Sequence, residues 1–185
     1  MRSPERLTSE QFLAAANALW FEGEPEKAMR SYLDAIDALT DQTPMSVVMD
    51  VKSAYALCLC EIGQLEAALE LYPDLHQKCL QNGFDETVVL RQWAKALEQS
   101  GDVRGARQTY EMIPPDEKTP QMDRLKWHHA LGLLNWRDGR ISEAQKNLSA
   151  ATAAMPDDPQ EAATVLAVLG NDALLSLEVG QYARA

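Results

Sequence analysis

The sequence has few of the residues that usually build catalytic or metal sites. It contains three histidines and three cysteines, and no glycine-rich phosphate loop or nucleophile elbow. His128 and His129 are adjacent, so on a helix their side chains point about 100° apart and do not converge on one metal ion. Cys58 and Cys60 also face different directions. We therefore expect no catalytic site, metal or cofactor, and we interpret the cysteines as buried small hydrophobes.

Long apolar runs are also missing. The opening residues MRSPERLTSE contain no apolar segment of a signal peptide, and no run of about 18 uncharged apolar residues occurs. Because the cysteines are sparse and odd in number, they are typical of reduced thiols rather than of a disulfide framework. These features predict a cytoplasmic protein without membrane insertion.

Positive charge is scarce, with 17 Lys and Arg against 28 Asp and Glu, for a net charge of −11. A chain this acidic repels phosphate backbones, so we expect no nucleic acid partner. The cations are concentrated in the second part of the chain, because residues 85–185 carry 11 of them and residues 1–84 carry 6. An apolar content of 46% excludes a disordered chain.

Glycine is placed regularly. Five glycines recur at intervals of 38 to 41 residues, at Gly23, Gly63, Gly101, Gly139 and Gly180. Five positions after each stands an alanine, at Ala28, Ala68, Ala106, Ala144 and Ala185. Seven positions before each stands a small residue, at Ala16, Ala56, Ala94, Gly132 and Ala173. Nine positions after the first four stand Tyr32, Tyr72, Tyr110 and Leu148. This register predicts an array of similar units.

Each register glycine lies between two segments that place apolar residues at helical spacing. We call these segments the first helix and the second helix of a unit, and we expect about 17–20 and 14–17 residues respectively. Glycine suits the turn because it has no Cβ to clash in a left-handed helix cap. The small residues predict close approach of the two helices in an antiparallel hairpin.

Helix starts and stops have their own signals. A capping oxygen precedes a proline at Thr43-Pro44, Thr119-Pro120 and Asp158-Pro159, which predicts that each proline is the first helical residue. Capping-box spacing occurs at Thr8 with Gln11 and at Asp158 with Glu161. Pro114 and Pro115 predict an early end to the second helix of the third unit.

The order of small residue, glycine turn, alanine and aromatic residue resembles the tetratricopeptide repeat. The fourth unit is the most similar, with Leu131-Gly132, Gly139, Ala144, Leu148, Ala151 and Pro156. The resemblance covers nearly the whole chain, although these units are longer than the usual repeat of about 34 residues. Long repeats of this sort are similar to those of kinesin light chains and of many bacterial regulatory proteins. An all-helical bundle is the alternative.

The resemblance implies an all-α solenoid of helix hairpins, a right-handed superhelix of about four and a half repeats. The expected units are 8–43, 44–83, 84–118, 119–157 and an incomplete 158–185, forming one repeat domain.

In tetratricopeptide repeats the first helices line a concave groove, so the resemblance also implies which positions face a ligand. The candidate peptide-binding residues are Asn17, Arg91, Lys95, Lys126, His129, Leu133 and Trp136. A basic and aromatic patch of this kind suits an acidic peptide or a C-terminal carboxylate. Alternatively the cations pair with neighbours such as Glu98 and Asp123 at surface strength, about 0–1 kcal/mol each.

Two further features refine this interpretation. Of the residues that the carboxylate-clamp subset of the family needs, only Asn17 is matched, because Leu57 stands at the equivalent site of the second unit. A receptor for chaperone tails is therefore not expected. Trp20 and Trp136 share one repeat position and are either groove anchors or wedges between the helices of a unit. We favour the wedge.

The last helix is apolar on several sides and should need a covering partner. Its apolar residues include Val165, Leu166, Val168, Leu169, Leu174, Leu175 and Leu177. The fifth glycine is expected to open a second helix that the sequence does not complete. These features predict either the N-terminal part of a longer protein or self-association through the uncapped end.

The sequence thus predicts a non-enzymatic scaffold that binds a peptide or partner protein in its groove. The alternative is a regulatory or sensor arm whose effector domain lies beyond residue 185. A third interpretation is an enzyme with a site around His129 and Glu98, for which no nucleophile is evident.

Overall fold

The computed structural model describes residues 7–155 and 162–182, and the regular structure in these two ranges is entirely α-helical. The helices are α1 Ser9–Phe21, α2 Pro25–Asp37, α3 Met45–Glu61, α4 Leu65–Asn82, α5 Thr87–Ser100, α6 Val103–Glu111, α7 Gln121–Arg137, α8 Ile141–Ala153 and α9 Ala162–Tyr182. The predicted all-α class of helix hairpins is confirmed.

The helices belong to two compact units, which divide between Ser100 and Gly101. In the first unit, α1 with α2 and α3 with α4 form hairpins, and α5 packs against α4. In the second unit, α7 and α8 form a hairpin, α6 packs against α7, and α9 packs against α8. The helices α5 and α6 belong to different units, and the single repeat domain stays a prediction.

The first four register glycines form the predicted turns. Gly23, Gly63, Gly101 and Gly139 have φ of 78°, 82°, 91° and 75°. At Gly63 this left-handed backbone allows the Gln64 N–H to donate to the Leu59 carbonyl at 2.8 Å, which closes the end of α3. A side chain would strain that conformation. Gly83, which lies outside the register, ends α4 in the same way with φ of 67°.

The fifth register glycine behaves differently, and the predicted turn there is wrong. Gly180 lies inside α9, which continues to Tyr182. Glycine permits a left-handed turn but does not impose one, so a register glycine does not by itself end a helix. Continued helical hydrogen bonding satisfies the backbone of Gly180 instead.

The capping predictions are partly right. The capping box of Thr8 and Gln11 at the start of α1 is confirmed. The prolines were wrongly predicted as first helical residues, because Pro44 and Pro120 occupy the N-cap positions themselves. The threonines that precede these prolines close the turns before the helices. Thr43 Oγ1 accepts a hydrogen bond from the Thr40 N–H at 2.9 Å, and Thr119 Oγ1 accepts one from the Asp116 N–H at 3.0 Å. The signals at Asp158, Pro159 and Glu161 lie outside the described residues.

Helix lengths follow these local signals more closely than the register. The two helices α3 and α7 have the predicted 17 residues, but α1 and α5 have only 13 and 14. The capping box of Thr8 and Gln11 sets the start of α1 at Ser9. The helix α5 begins after a loop in which Asp85 Oδ1 accepts a hydrogen bond from the Thr87 N–H at 2.9 Å. The second helix α6 ends at Glu111, before Pro114 and Pro115, as predicted.

The small residues of the register lie where the two helices of a hairpin meet. Ala16 with Ala28 and Ala56 with Ala68 are fully buried in the hairpins of the first unit, and Ala144 is fully buried in the α7–α8 hairpin. Ala94 of α5 and Ala106 of α6 are fully buried as well. Tyr72 and Leu148, four residues after such alanines, have no exposed surface either. A Cβ at Gly132 would stand 2.8 Å from Leu148 Cγ, so α7 and α8 approach too closely there for a larger residue.

Candidate first-helix binding face

The candidate face is formed by first helices that lie beside one another within each unit. In the first unit α3 contacts both α1 and α5, and in the second unit α7 contacts α9. A salt bridge of 3.5 Å from Lys95 Nζ to Glu61 Oε1 joins α5 to α3. Side chains of neighbouring first helices can therefore act on the same ligand within a unit.

Four of the predicted residues form a row along α7. Lys126, His129, Leu133 and Trp136 follow at spacings of three, four and three, which places them on one face of the helix. All four are half-buried. The structure thus brings this part of the predicted patch together on a rigid element.

Two hydrogen bonds from α9 hold the row in place. The Asn171 side-chain amide donates to His129 Nε2 at 2.9 Å, and the Trp136 indole N–H donates to Glu178 Oε2 at 2.9 Å. His129 and Trp136 are seven residues apart on α7, and Asn171 and Glu178 are seven residues apart on α9, so the two helices are tied at two levels. Leu133 lies between these levels.

His129 contributes less positive charge than a basic patch requires. Burial lowers the pKa of its imidazole below the usual 6.5. Because Nε2 accepts a hydrogen bond from Asn171, the neutral ring carries its proton on Nδ1. At neutral pH His129 is therefore a hydrogen-bonding group, and Lys126 is the cation of the row.

The cations of the first unit are more exposed. Arg91 and Lys95 stand one turn apart on α5 and are both exposed. The Lys95 side chain is 57% exposed and that of its partner Glu61 43%, so their salt bridge is a surface pair worth about 0–1 kcal/mol. Pairing with a neighbouring carboxylate is the expected alternative, and the contact of Lys95 with Glu61 is a pair of this kind.

Asn17 has a role inside its own hairpin. The Tyr32 hydroxyl donates to Asn17 Oδ1 at 2.7 Å, which links α1 to α2. Burial raises the pKa of Tyr32, so this hydroxyl remains a donor across the physiological range. Asn17 therefore helps to fix the hairpin, and its predicted contact with a peptide stays a prediction.

The two tryptophans at one repeat position pack as wedges, the interpretation that the sequence favours. Trp20 packs against the buried cluster of Ala16, Ala28 and Tyr32. Trp136 is half-buried and packs against the cluster of Ala144, Leu148 and Leu175, and its N–H donates to Glu178. Their large rings fill space between helices.

Sequence reasoning missed Glu61, Asn171 and Glu178 as neighbours of the candidate residues. A signal for two of them exists, since Asn171 and Glu178 each follow their partner on α7 by 42 residues, close to the repeat interval. Side chains separated by about one repeat are candidates for contact between first helices. Glu61 precedes Lys95 by 34 residues, which is shorter than the repeat interval, and so carries no comparable signal.

Within residues 7–155 and 162–182, no group of three or more His, Cys, Asp or Glu side chains could hold a metal ion. Cys58, Cys60 and Cys79 are buried, and burial raises the pKa of each thiol. The helices of the same residues include none that is long and apolar enough to cross a membrane.

No protein-family model and no curated protein matches the chain. Solved structures do match it. The kinesin light chain TPR-like repeats of Podosopora anserina align with a TM-score of 0.72 and 19% identity, over 98% of this chain and 90% of theirs. BtubC (BKLC) from P. vanneervenii aligns with a TM-score of 0.71 and 17% identity, over 95% of this chain and 74% of its own.

A third match is MamA from Desulfovibrio magneticus RS-1, with a TM-score of 0.66 and 11% identity, over 94% of this chain and 96% of that one. At such low identity these matches bear on the fold alone. They agree with the glycine register, the buried small residues and the hairpins described above. The chain has the fold of tetratricopeptide-repeat proteins.

Proposed function

We propose that the chain is a protein-interaction module that binds a partner protein or peptide along its first helices, the face that lines the groove in tetratricopeptide repeats. The ligand is a segment rich in carboxylates. Its binding requires no chemistry from the chain, because preorganised helices present a few polar and aromatic groups.

The exposed pair Arg91 and Lys95 is the observation that carries this proposal. Two cations one helical turn apart, in a chain with net charge −11, form a local site for carboxylates. The Lys95–Glu61 contact at 3.5 Å is long and exposed, so a ligand carboxylate can replace Glu61 at little loss.

The row on α7 supports the same function in the second unit. There Lys126 supplies charge, and the half-buried Leu133 and Trp136 supply apolar contact. Since Asn171 and Glu178 hold His129 and Trp136, this face is ordered before a ligand arrives. Ordering in advance reduces the entropy lost on binding.

The test measures binding of a fluorescein-labelled peptide rich in Asp and Glu by fluorescence anisotropy. We expect the double variant Arg91→Glu/Lys95→Glu to lose affinity by roughly 2–4 kcal/mol, because two charge-assisted contacts become repulsive. The loss should shrink as salt is added, since exposed charges are screened.

The matched control is Arg30→Glu, which makes one of the same charge changes at an exposed position on the second helix α2. Its effect on affinity should be small. Because Arg30→Glu changes the net charge by half as much as the double variant, a loss half as large as that of the double variant would show that only net charge matters and would refute a site on α5. Circular dichroism establishes that all variants keep their helices.

A further inference from the structure

The exposed cations Arg91 and Lys95 have carboxylates of the chain beside them. Lys95 Nζ lies 3.5 Å from Glu61 Oε1 of the neighbouring first helix α3. Hydrogen bonds from Thr87 lower the pKa of Asp85 most, and the charge of Arg91 lowers it further, so Arg91 acts on the Asp85 carboxylate. Each cation of the pair is therefore already close to a negative charge.

The face of α3 beside this pair is acidic. Asp50, Leu57 and Glu61 follow at spacings of seven and four, so they lie along one face of the helix. Asp50 and Glu61 are exposed, and Leu57 is half-buried. The single Lys or Arg of α3 is Lys52, whose Nζ lies 3.4 Å from Asp74 Oδ2 of the second helix α4. A ligand that extends from α5 to α3 thus meets carboxylates there rather than cations.

A ligand that carries only carboxylates fits this charge pattern poorly. When one of its carboxylates takes the place of Glu61 on Lys95, the Glu61 carboxylate stays on the same face and repels it. The half-buried Glu98, three residues after Lys95 on α5, adds a further negative charge. A Lys or Arg of the ligand beside its carboxylate replaces this repulsion with attraction.

The contact between Lys95 and Glu61 also sets how far apart the charges of the ligand can be. The charged atoms of the two side chains are 3.5 Å apart, so the ligand groups that pair with them must be close neighbours. In an extended segment, residues two positions apart point to the same side and are about 7 Å apart. Both are then within reach of the two long side chains.

We propose that the face shared by α3 and α5 selects a segment of mixed charge, in which carboxylates pair with Arg91 and Lys95 and a Lys or Arg two residues away pairs with Glu61. This preference rests on the proposed function, since the ligand must first occupy the first helices. It adds the charge pattern of the partner and makes Glu61 the residue that discriminates against purely acidic segments. All these residues belong to the first unit.

Two fluorescein-labelled peptides test the preference by fluorescence anisotropy with the full 185-residue chain. The mixed probe has glycine at every second position and Glu and Lys in turn between the glycines. Each of its carboxylates therefore has a lysine two residues away, and its side-chain charges sum to zero. The acidic probe has Glu in place of each Lys and is otherwise identical.

The variant Glu61→Gln should affect the two probes in opposite directions. We expect it to bind the acidic probe about two- to fivefold more tightly, because a repelling carboxylate is removed. It should bind the mixed probe about two- to fivefold more weakly, because a contact with lysine is lost. The ratio of the affinities, mixed over acidic, should thus fall at least about fourfold. Since Glu61 is exposed at the end of α3, the variant should fold, and circular dichroism monitors its helices.

Glu66→Gln is the matched control, since it removes the same charge at an exposed position on the second helix α4 of the same unit. We expect the ratio of affinities to change little in this variant. An unchanged ratio in Glu61→Gln would overturn the proposal. An equal fall of the ratio in Glu66→Gln would overturn it as well, because net charge alone would then be responsible.

The same measurements separate the mixed-charge preference from the proposed function. If Arg91→Glu/Lys95→Glu loses affinity for the acidic probe while Glu61→Gln leaves the ratio unchanged, the proposed function stands and the mixed-charge preference is refuted. If Arg91→Glu/Lys95→Glu binds both probes as tightly as the unmodified chain, the proposed function itself fails.

Discussion

Helices α7 and α9 occupy equivalent places before their register glycines, yet their surroundings differ. The helix α7 is covered by α8 and buries Leu125, Leu131, Gly132, Leu134 and Asn135. The longer and more apolar α9 buries Val168 and Leu175 and leaves four leucines exposed. The comparison teaches that burial in this repeat depends on the presence of a second helix and not on the apolarity of the first.

The largest effect should come from removing a leucine on each helix. We expect Leu134→Ala to lower the free energy of unfolding by about 2–5 kcal/mol, because Leu134 is fully buried on α7. Leu177→Ala, at a position that is 63% exposed on α9, should change it by no more than about 0.5 kcal/mol. Urea unfolding measures both changes in the free energy of unfolding, and similar losses in the two variants would contradict the exposure of Leu177.

Adding a methyl group should have effects of opposite sign on the two helices. Gly132→Ala places a Cβ 2.8 Å from Leu148 Cγ and should destabilise by about 1–3 kcal/mol. Gly170→Ala meets no neighbour and should stabilise α9 by about 0.5–1 kcal/mol through helix propensity. Thermal unfolding of the two variants gives the signs, and a destabilising Gly170→Ala would show that α9 is covered.

The smallest expected effect concerns the hydrogen bond between the two helices. Burial lowers the pKa of His129 in the folded state below 6.5. Between the folded-state pKa and 6.5 the unfolded chain therefore binds more protons than the folded chain. Stability contributed by neutral His129 is therefore present above pH 6.5 and is lost as the pH falls through that window. Urea unfolding measured across it should show a smaller slope with pH for His129→Gln. An unchanged slope would exclude His129 as its source.

Much of the fold follows from residue type and spacing. Gly63 predicts its turn because few other residues adopt a positive φ, and Ala56 with Ala68 predicts close helix packing because small side chains permit it. Gly180 shows the limit of that reasoning. The same residue type in the same register stays helical there, because glycine permits a positive φ without requiring it.

The candidate face was less predictable than the fold. The row on α7 follows from helical spacing, but the charge of His129 depends on burial, and the surroundings of Lys95 depend on where Glu61 of α3 lies. Thr43 and Thr119 illustrate the same difficulty, because their hydroxyls close the preceding turns rather than cap the helices. Contacts in the folded chain decide which partner each of these side chains takes, and the periodicity of the sequence does not reveal those contacts.

The most direct test of the central comparison is the solvent accessibility of leucine methyl groups, measured by NMR line broadening with a dissolved paramagnetic probe. We expect strong broadening for Leu166 and Leu177 of α9, and protection for Leu134 of α7 and Leu148 of α8. Protection of Leu166 and Leu177 to the same degree as Leu134 would contradict the exposure of these α9 leucines.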